Sequence, residues 1–159
     1  MNSGGKGIFI LLGFGICKYF ADKLNKKKDY TIEKKNLYIQ ILDRLLVLRE
    51  RGISLNKYLQ EKNHKKVAIY GLGMIGSHLY EALKGTEVEL IGIDKSKVYN
   101  NFRMPIYKPD YNLNDIDLII VTPFDYKEIF HDLQKYHKKI ISIHQLLNEC
   151  EKYLYTCSN

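Results

Sequence analysis

Apolar and polar positions divide the chain into three stretches with different periods. Ile8 to Phe20 is an almost unbroken apolar run, IFILLGFGICKYF, followed by Lys23, Lys26, Lys27 and Lys28. Between Asp29 and Lys62, Leu37, Tyr38, Ile41, Leu42, Leu45, Leu46 and Leu48 recur at helical spacing and make one broad apolar face. Gly52, just after Arg49 and Arg51, stops that helix, and Ser54 caps a second short one, Leu55 to Glu61. Beyond Lys66 the period changes again. Runs rich in β-branched residues, Lys66–Tyr70, Val88–Ile93, Asp117–Thr122 and Lys139–Ile143, predict strands. Met74–Lys84, Pro123–His137 and Gln145–Tyr153 predict the helices between and after them. Residues 99–114, interrupted by Pro105 and Pro109, are irregular, with a short strand near Met104 to Tyr107. The run from Asp117 to Thr122 is apolar on both faces, as at the centre of a parallel sheet. Alternation with short connections predicts an α/β fold: a doubly wound parallel sheet of about five strands after an N-terminal helical extension.

Three segments follow: an apolar and basic leader over 1–28, a helical extension over 29–63, and a nucleotide-binding domain over 64–159. Thirteen residues of helix, Ile8 to Phe20, span about 20 Å, short of a hydrocarbon core of about 30 Å. No small-residue cleavage site follows the run, and Ile16 before Cys17 does not suit a lipoprotein signal. The run is then an interfacial anchor with basic flanks over residues 8–28, a helix packed on its own or a neighbouring subunit, or a disordered or cleaved leader. The stripe over 37–48 has two readings as well, packing on the nucleotide domain or making a homodimer.

Charge sharpens this division. Residues 1–66 carry a net +9 and residues 67–159 a net −2, so the basic character belongs to the extension. That argues against a nucleic-acid partner, whose basic surface would lie on the fold itself. An anionic membrane surface or an acidic partner for the extension stays open. The placement expected is cytoplasmic, with peripheral contact at the inner face of the membrane as an option. Cys17, Cys150 and Cys157 are odd in number and lack metal-ligand spacing, which reads as free thiols in a reducing compartment with no metal site.

Candidate chemistry concentrates at Gly71-Leu72-Gly73-Met74-Ile75-Gly76. A lone G-x-G-x-x-G is weak, but this one ends a strand, opens a helix and precedes a second strand that ends in an acid. Gly71 permits the tight turn, Gly73 leaves room for a pyrophosphate, and Gly76 lets helix and strand pack closely. Amides at Met74 and Ile75, aided by the helix dipole, face the phosphates. Asp94, eighteen residues after Gly76, can take a ribose 2′-hydroxyl and opposes a 2′-phosphate, so NAD is favoured over NADP. Lys95 and Lys97 soften that preference. Thr122 and Pro123 close the central strand at the sheet's ligand edge, where Thr122 either touches the cofactor or caps the next helix, and Asp125 belongs to that helix's first turn. This is a Rossmann-type pattern, and a turn that kept its glycines without its ligand is the alternative.

No catalytic residue can be assigned. A Tyr-x-x-x-Lys pair, which short-chain dehydrogenases need downstream of the nucleotide turn, occurs at Tyr19/Lys23, Tyr30/Lys34, Tyr58/Lys62 and Tyr80/Lys84, none of them downstream. Among the five histidines, His78 near the turn and His144 after the last strand are the ligand candidates, and His131 and His137 read as solvated.

The segments "LLVLRERGISLNKYLQEKNHKKVAIYGLGMIGSHLYEAL", "GIDKS", "DLIIVTPFDYKEI" and "KIISIHQLL" resemble small uncharacterised bacterial proteins with NAD(P)-binding Rossmann folds from capsular and exopolysaccharide biosynthesis clusters. The resemblance implies a cytoplasmic role accessory to sugar-nucleotide or glycan assembly, without implying an activity. Two other classes share parts of the pattern. One is a subunit of a sugar-nucleotide oxidoreductase or epimerase completed by a partner. The other is the nucleotide-sensing regulatory domain of potassium transport systems, whose Gly-Asp segment after strand three has no counterpart in Pro105 to Asn114.

Overall fold

The computed structural model describes residues 4–96, 102–134 and 139–157, with side chains from 18 to 153 within those spans. It falls into two units, Met1–Tyr38 and Ile39–Asn159. The first is helical throughout its described length. Its side chains from Lys18 onward are mostly exposed, including Tyr19, Phe20 and Leu24. One hydroxyl, Thr31 Oγ1, donates back to the Lys27 carbonyl at 2.9 Å. The helix to which this unit belongs, α1, runs without interruption from Gly4 to Glu50. The helix thus crosses the 28/29 position, where the helical extension was expected to begin. The lysines of the stretch Lys23–Lys28, which marks a flank in sequence, are good helix formers and leave the helix unbroken. No described helix is long and apolar enough to cross a membrane. The side chains of Ile8 to Cys17 lie outside the described residues.

In the second unit the order is the end of α1, then α2 (Leu55–Glu61), β1 (Lys66–Tyr70), α3 (Met74–Leu83), β2 (Glu89–Ile93), β3 (Ile106–Tyr107), β4 (Leu118–Val121), α4 (Tyr126–Gln134), β5 (Ile140–Ser142) and α5 (Ile143–Cys157). The helix ends follow from local sequence. Gly52, at φ +71°, closes α1 with paired bonds, Gly52 N to the Arg49 carbonyl and Ile53 N to the Leu48 carbonyl. Ser54 caps α2 by accepting from the Lys57 amide. Ser142 and Gln145 form a reciprocal capping box that starts α5 two residues earlier than the apolar pattern suggests. The Ser142 amide donates to Gln145 Oε1 at 2.8 Å and the Gln145 amide to Ser142 Oγ at 3.2 Å.

The five strands form one all-parallel sheet in the order β3-β2-β1-β4-β5. This is a Rossmann-like doubly wound fold, with β1 and β4 side by side at the point where strand order reverses. Strand alternation sends Ala68, Tyr70, Ile91, Ile93, Ile119 and Val121 to one face, where they meet Leu113 and Ile116 of the segment before β4 and Leu133 of α4. Val67, Ile69, Leu90, Leu118 and Ile120 point to the other face, and the buried Ile75, Leu79 and Leu83 belong to α3, which packs on β1. Each such side chain, fully buried, stabilises by about 1.5–3 kcal/mol. Ile41 and Leu48 of α1 join this core, and Arg44 ties the same helix to α5 through Glu151 at 2.8 Å and Asn148 at 2.6 Å. Part of the 37–48 stripe is therefore consumed within the unit, while Ile39 and Leu46 stay exposed. α4 begins at Tyr126, three residues later than expected. The end expected at His137, like Lys97, lies outside the described residues.

Candidate functional site

The glycine turn stands at the carboxyl end of β1, between β2 and β4. Gly71 extends the ladder by donating its amide to the Ile93 carbonyl at 2.8 Å, then turns with φ +89°. A Cβ at Gly71 would also lie 2.7 Å from the Pro123 ring and 3.0 Å from Thr122 Oγ1, so a side chain there is excluded on two counts. Gly76 is required for a different reason: its Cβ would fall 2.0 Å from the Gly71 carbonyl oxygen, where the first turn of α3 rests on the loop.

Gly73 differs from both. Its φ is −65°, open to any residue, and beyond its own chain neighbours no atom lies within 4 Å of where its Cβ would be. Nothing in the described structure requires glycine there. It is the N-cap of α3, and no side chain caps that helix. The first-turn amides, including those of Met74 and Ile75, have no intrahelical acceptors and sit at the positive end of the helix dipole. Ser77 Oγ turns back to the Gly73 carbonyl at 3.0 Å, away from those amides.

Two side chains hold the turn from opposite strands. Asp94, just after β2, accepts from the Leu72 amide at 2.7 Å through Oδ2 and from the Ser96 amide at 2.8 Å through Oδ1. Each carboxylate oxygen keeps a second acceptor site, and the residue is half-exposed. Thr122 is buried, and its Oγ1 donates to the Gly71 carbonyl at 2.6 Å, with the Tyr70 carbonyl at 3.2 Å. The alternative that Thr122 caps the next helix is thereby corrected. Its one hydroxyl proton is committed to the turn, and α4 starts four residues on. Pro123 packs on the same turn, Met74 stands nearly half-exposed at the helix start, and Lys95 and Ser96 are exposed beside Asp94.

Gly71 to Gly76, Asp94, Lys95, Thr122 and Pro123 thus gather at one edge. His78 does not join them. It lines an apolar groove of about 870 Å³ with Leu42, Leu45, Leu46 and Leu55. A second groove, of about 890 Å³, opens beside Tyr80, Lys84 and Arg103; neither groove is lined by the glycine turn, which is an open edge. The Tyr-x-x-x-Lys pairs of this unit are engaged elsewhere. Tyr80 accepts from the Arg103 amide at 2.9 Å and Lys84 pairs with Glu81, while Tyr58 donates to Glu149 and its hydroxyl is pushed well up, by burial first. His144 stands at the carboxyl edge beyond β5, its ring 6.0 Å from that of Phe124. Burial, and then Arg44, hold the His144 imidazole below its ordinary value. Buried Cys150 is pushed up to about 12, chiefly by burial, and is no nucleophile at neutral pH. Among the described residues no group of three or more His, Cys, Asp or Glu could hold a metal ion.

The sequence pattern missed the Thr122 hydroxyl bond and the Leu72–Asp94 clamp, both of which depend on strand order. Phe124 carried one visible signal, its place two residues after the central strand. No protein-family model, curated protein or solved structure matches the chain.

Proposed function

We propose that the carboxyl edge binds a dinucleotide, NAD(H) ahead of NADP(H), with the diphosphate on the α3 amides and the ribose of the adenosine half on Asp94. The observation that carries this reading is Gly73. It is a glycine with no steric or conformational need for one, beside an uncapped helix N-terminus. Space for an incoming phosphate accounts for it. Asp94 supports the same reading, because it is only partly buried, keeps acceptor capacity next to the turn, and its charge opposes a 2′-phosphate. The role proposed is nucleotide binding rather than a stated reaction, accessory to polysaccharide or sugar-nucleotide assembly. That setting rests on the sequence resemblance alone. A place at the inner face of the membrane, through residues 8–28, rests on the apolar and basic pattern.

Titration calorimetry with NAD, NADH, NADP, ATP and UDP-sugars tests the site. NAD or NADH is expected to bind more tightly than NADP. Gly73→Val is expected to fold and lose at least ~2 kcal/mol of affinity, because charge-assisted bonds of ~1.5–3 kcal/mol are blocked. A folded Gly73→Val protein that binds as tightly as the parent means that no phosphate sits on this turn.

A further inference from the structure

The glycine turn fixes where a diphosphate would lie and leaves open what lies beyond it. Strand order makes the two sides unequal. On the β2 side stands Asp94. On the other side come β4 and then β5, whose end is two strand spacings from β1, about 10 Å. That is the reach of a ribose and a ring from a phosphate seated at the turn.

Pro123, Phe124 and His144 stand along this distance, after β4 and after β5. The Pro123 ring abuts Gly71. Phe124 follows it, half-buried, and its ring lies 6.0 Å from the His144 imidazole at a tilt of 52°. His144 is also half-buried, in the first turn of α5. The N-terminus of α5 is closed by the Ser142–Gln145 capping box, so it is already satisfied without an anion. The imidazole is held toward its neutral form by burial and by Arg44, and so presents one donor and one acceptor without charge. A phenyl ring beside an imidazole suits a flat or hydroxylated uncharged group.

We propose that Phe124 and His144 form the seat for the half of the ligand beyond the diphosphate, an uncharged ring carrying amide or hydroxyl groups. Dihydronicotinamide riboside and a hexose share that chemistry. The proposal rests on the glycine-turn reading given above and goes beyond it by assigning the second half of the ligand to named residues.

The test compares ADP, ADP-ribose, NADH and UDP-glucose on the full chain, with Phe124→Ala, Phe124→Leu and His144→Ala, each checked by thermal melting. The parent is expected to bind NADH or UDP-glucose more tightly than ADP. Phe124→Ala and His144→Ala should each lower that affinity about tenfold while ADP binding is unchanged, and Phe124→Leu should fall between. An advantage for NADH identifies the nicotinamide source, and one for UDP-glucose the hexose. Equal losses for ADP and NADH, or no loss for either, overturn the proposal while leaving the glycine-turn reading intact. Failure of the parent to bind any of the four overturns both.

Discussion

The two ends of the parallel sheet use the same device to opposite effect. At the amino end, Asp117 precedes β4 and its Oδ2 accepts from the Lys65 and Lys66 amides, both at 2.8 Å. Lys66 in turn bridges Asp115 at 2.7 Å and Glu89 at 3.2 Å. The start of β1 is thereby matched with acceptors from β2 and β4. At the carboxyl end, Asp94 also reaches across a strand to a backbone amide, that of Leu72. Yet this clamp stops one residue short of α3, and the amides after it are left uncapped. A carboxylate between strands closes one edge and, at the other, holds a turn in a conformation that leaves its donors facing out.

Three sets of changes would break or sharpen this contrast. The largest effect is expected at the turn itself. Gly76→Ala drives a methyl group into the Gly71 carbonyl and should cost about 3 kcal/mol or more, read as a collapse of the urea midpoint. Gly73→Ala, three residues earlier, should cost at most about 1 kcal/mol, the difference between Gly and Ala at an N-cap. Equal losses would mean that the glycines serve one structural purpose and that Gly73 carries no separate signal.

The aspartates come next. Asp117→Ala leaves two strand amides without their acceptor and should lower stability by about 1–3 kcal/mol, without consequence for nucleotides. Asp94→Ala should lower stability by about 1 kcal/mol and, in calorimetry, narrow the gap between NAD and NADP. A loss of NAD binding on Asp117→Ala, with the fold intact, would contradict the division between a closed and a presenting edge.

The smallest effect is one of pH. The Lys66 amide, and then that of Lys65, hold the Asp117 carboxyl below its ordinary value, so its contribution is complete above about pH 4 and fades as the pH falls further. His64 at the amino edge is shifted down by burial first and then by Lys139, and His144 at the carboxyl edge by burial and then by Arg44. Both folded imidazoles favour the neutral form, so their contribution is complete above about pH 6.5 and is lost as the pH falls below that. Urea midpoints should therefore begin to decline below pH 6.5 and fall more steeply near pH 4. His64→Gln with His144→Gln should flatten the upper part of the decline and leave the lower part in place. An unchanged upper limb would show that neither imidazole is disfavoured as a cation.

Legibility in the sequence divides along physical lines. β1, α3, β2 and β4 could be placed because periodicity and glycine position are local signals, and the parallel sheet follows from their alternation. The start of α5 was also legible in principle, since Ser142 and Gln145 have capping-box spacing, but an apolar count favours the later start. What could not be read are partners that strand order alone brings together. Thr122 is fifty-one residues from the Gly71 carbonyl it holds, and Asp94 twenty-two from the Leu72 amide. The sequence placed both at the carboxyl edge of the sheet, and there the hydroxyl of Thr122 donates to the turn. The continuity of α1 through Lys23–Lys28 was illegible for another reason: lysines flank membrane segments and also continue helices, and composition does not separate the two.

The outer strands have a consequence for the molecule's company. β3 is two residues long and β5 three. An open sheet exposes a row of unsatisfied donors and acceptors at each border, and a long straight border invites a foreign strand to add itself. Here the borders are too short to template such growth, and Pro105 and Pro109 flank β3 on either side, each lacking the N–H that an added strand would need. A chain with so apolar a central strand is thus guarded against fibrous self-association by the brevity of its margins.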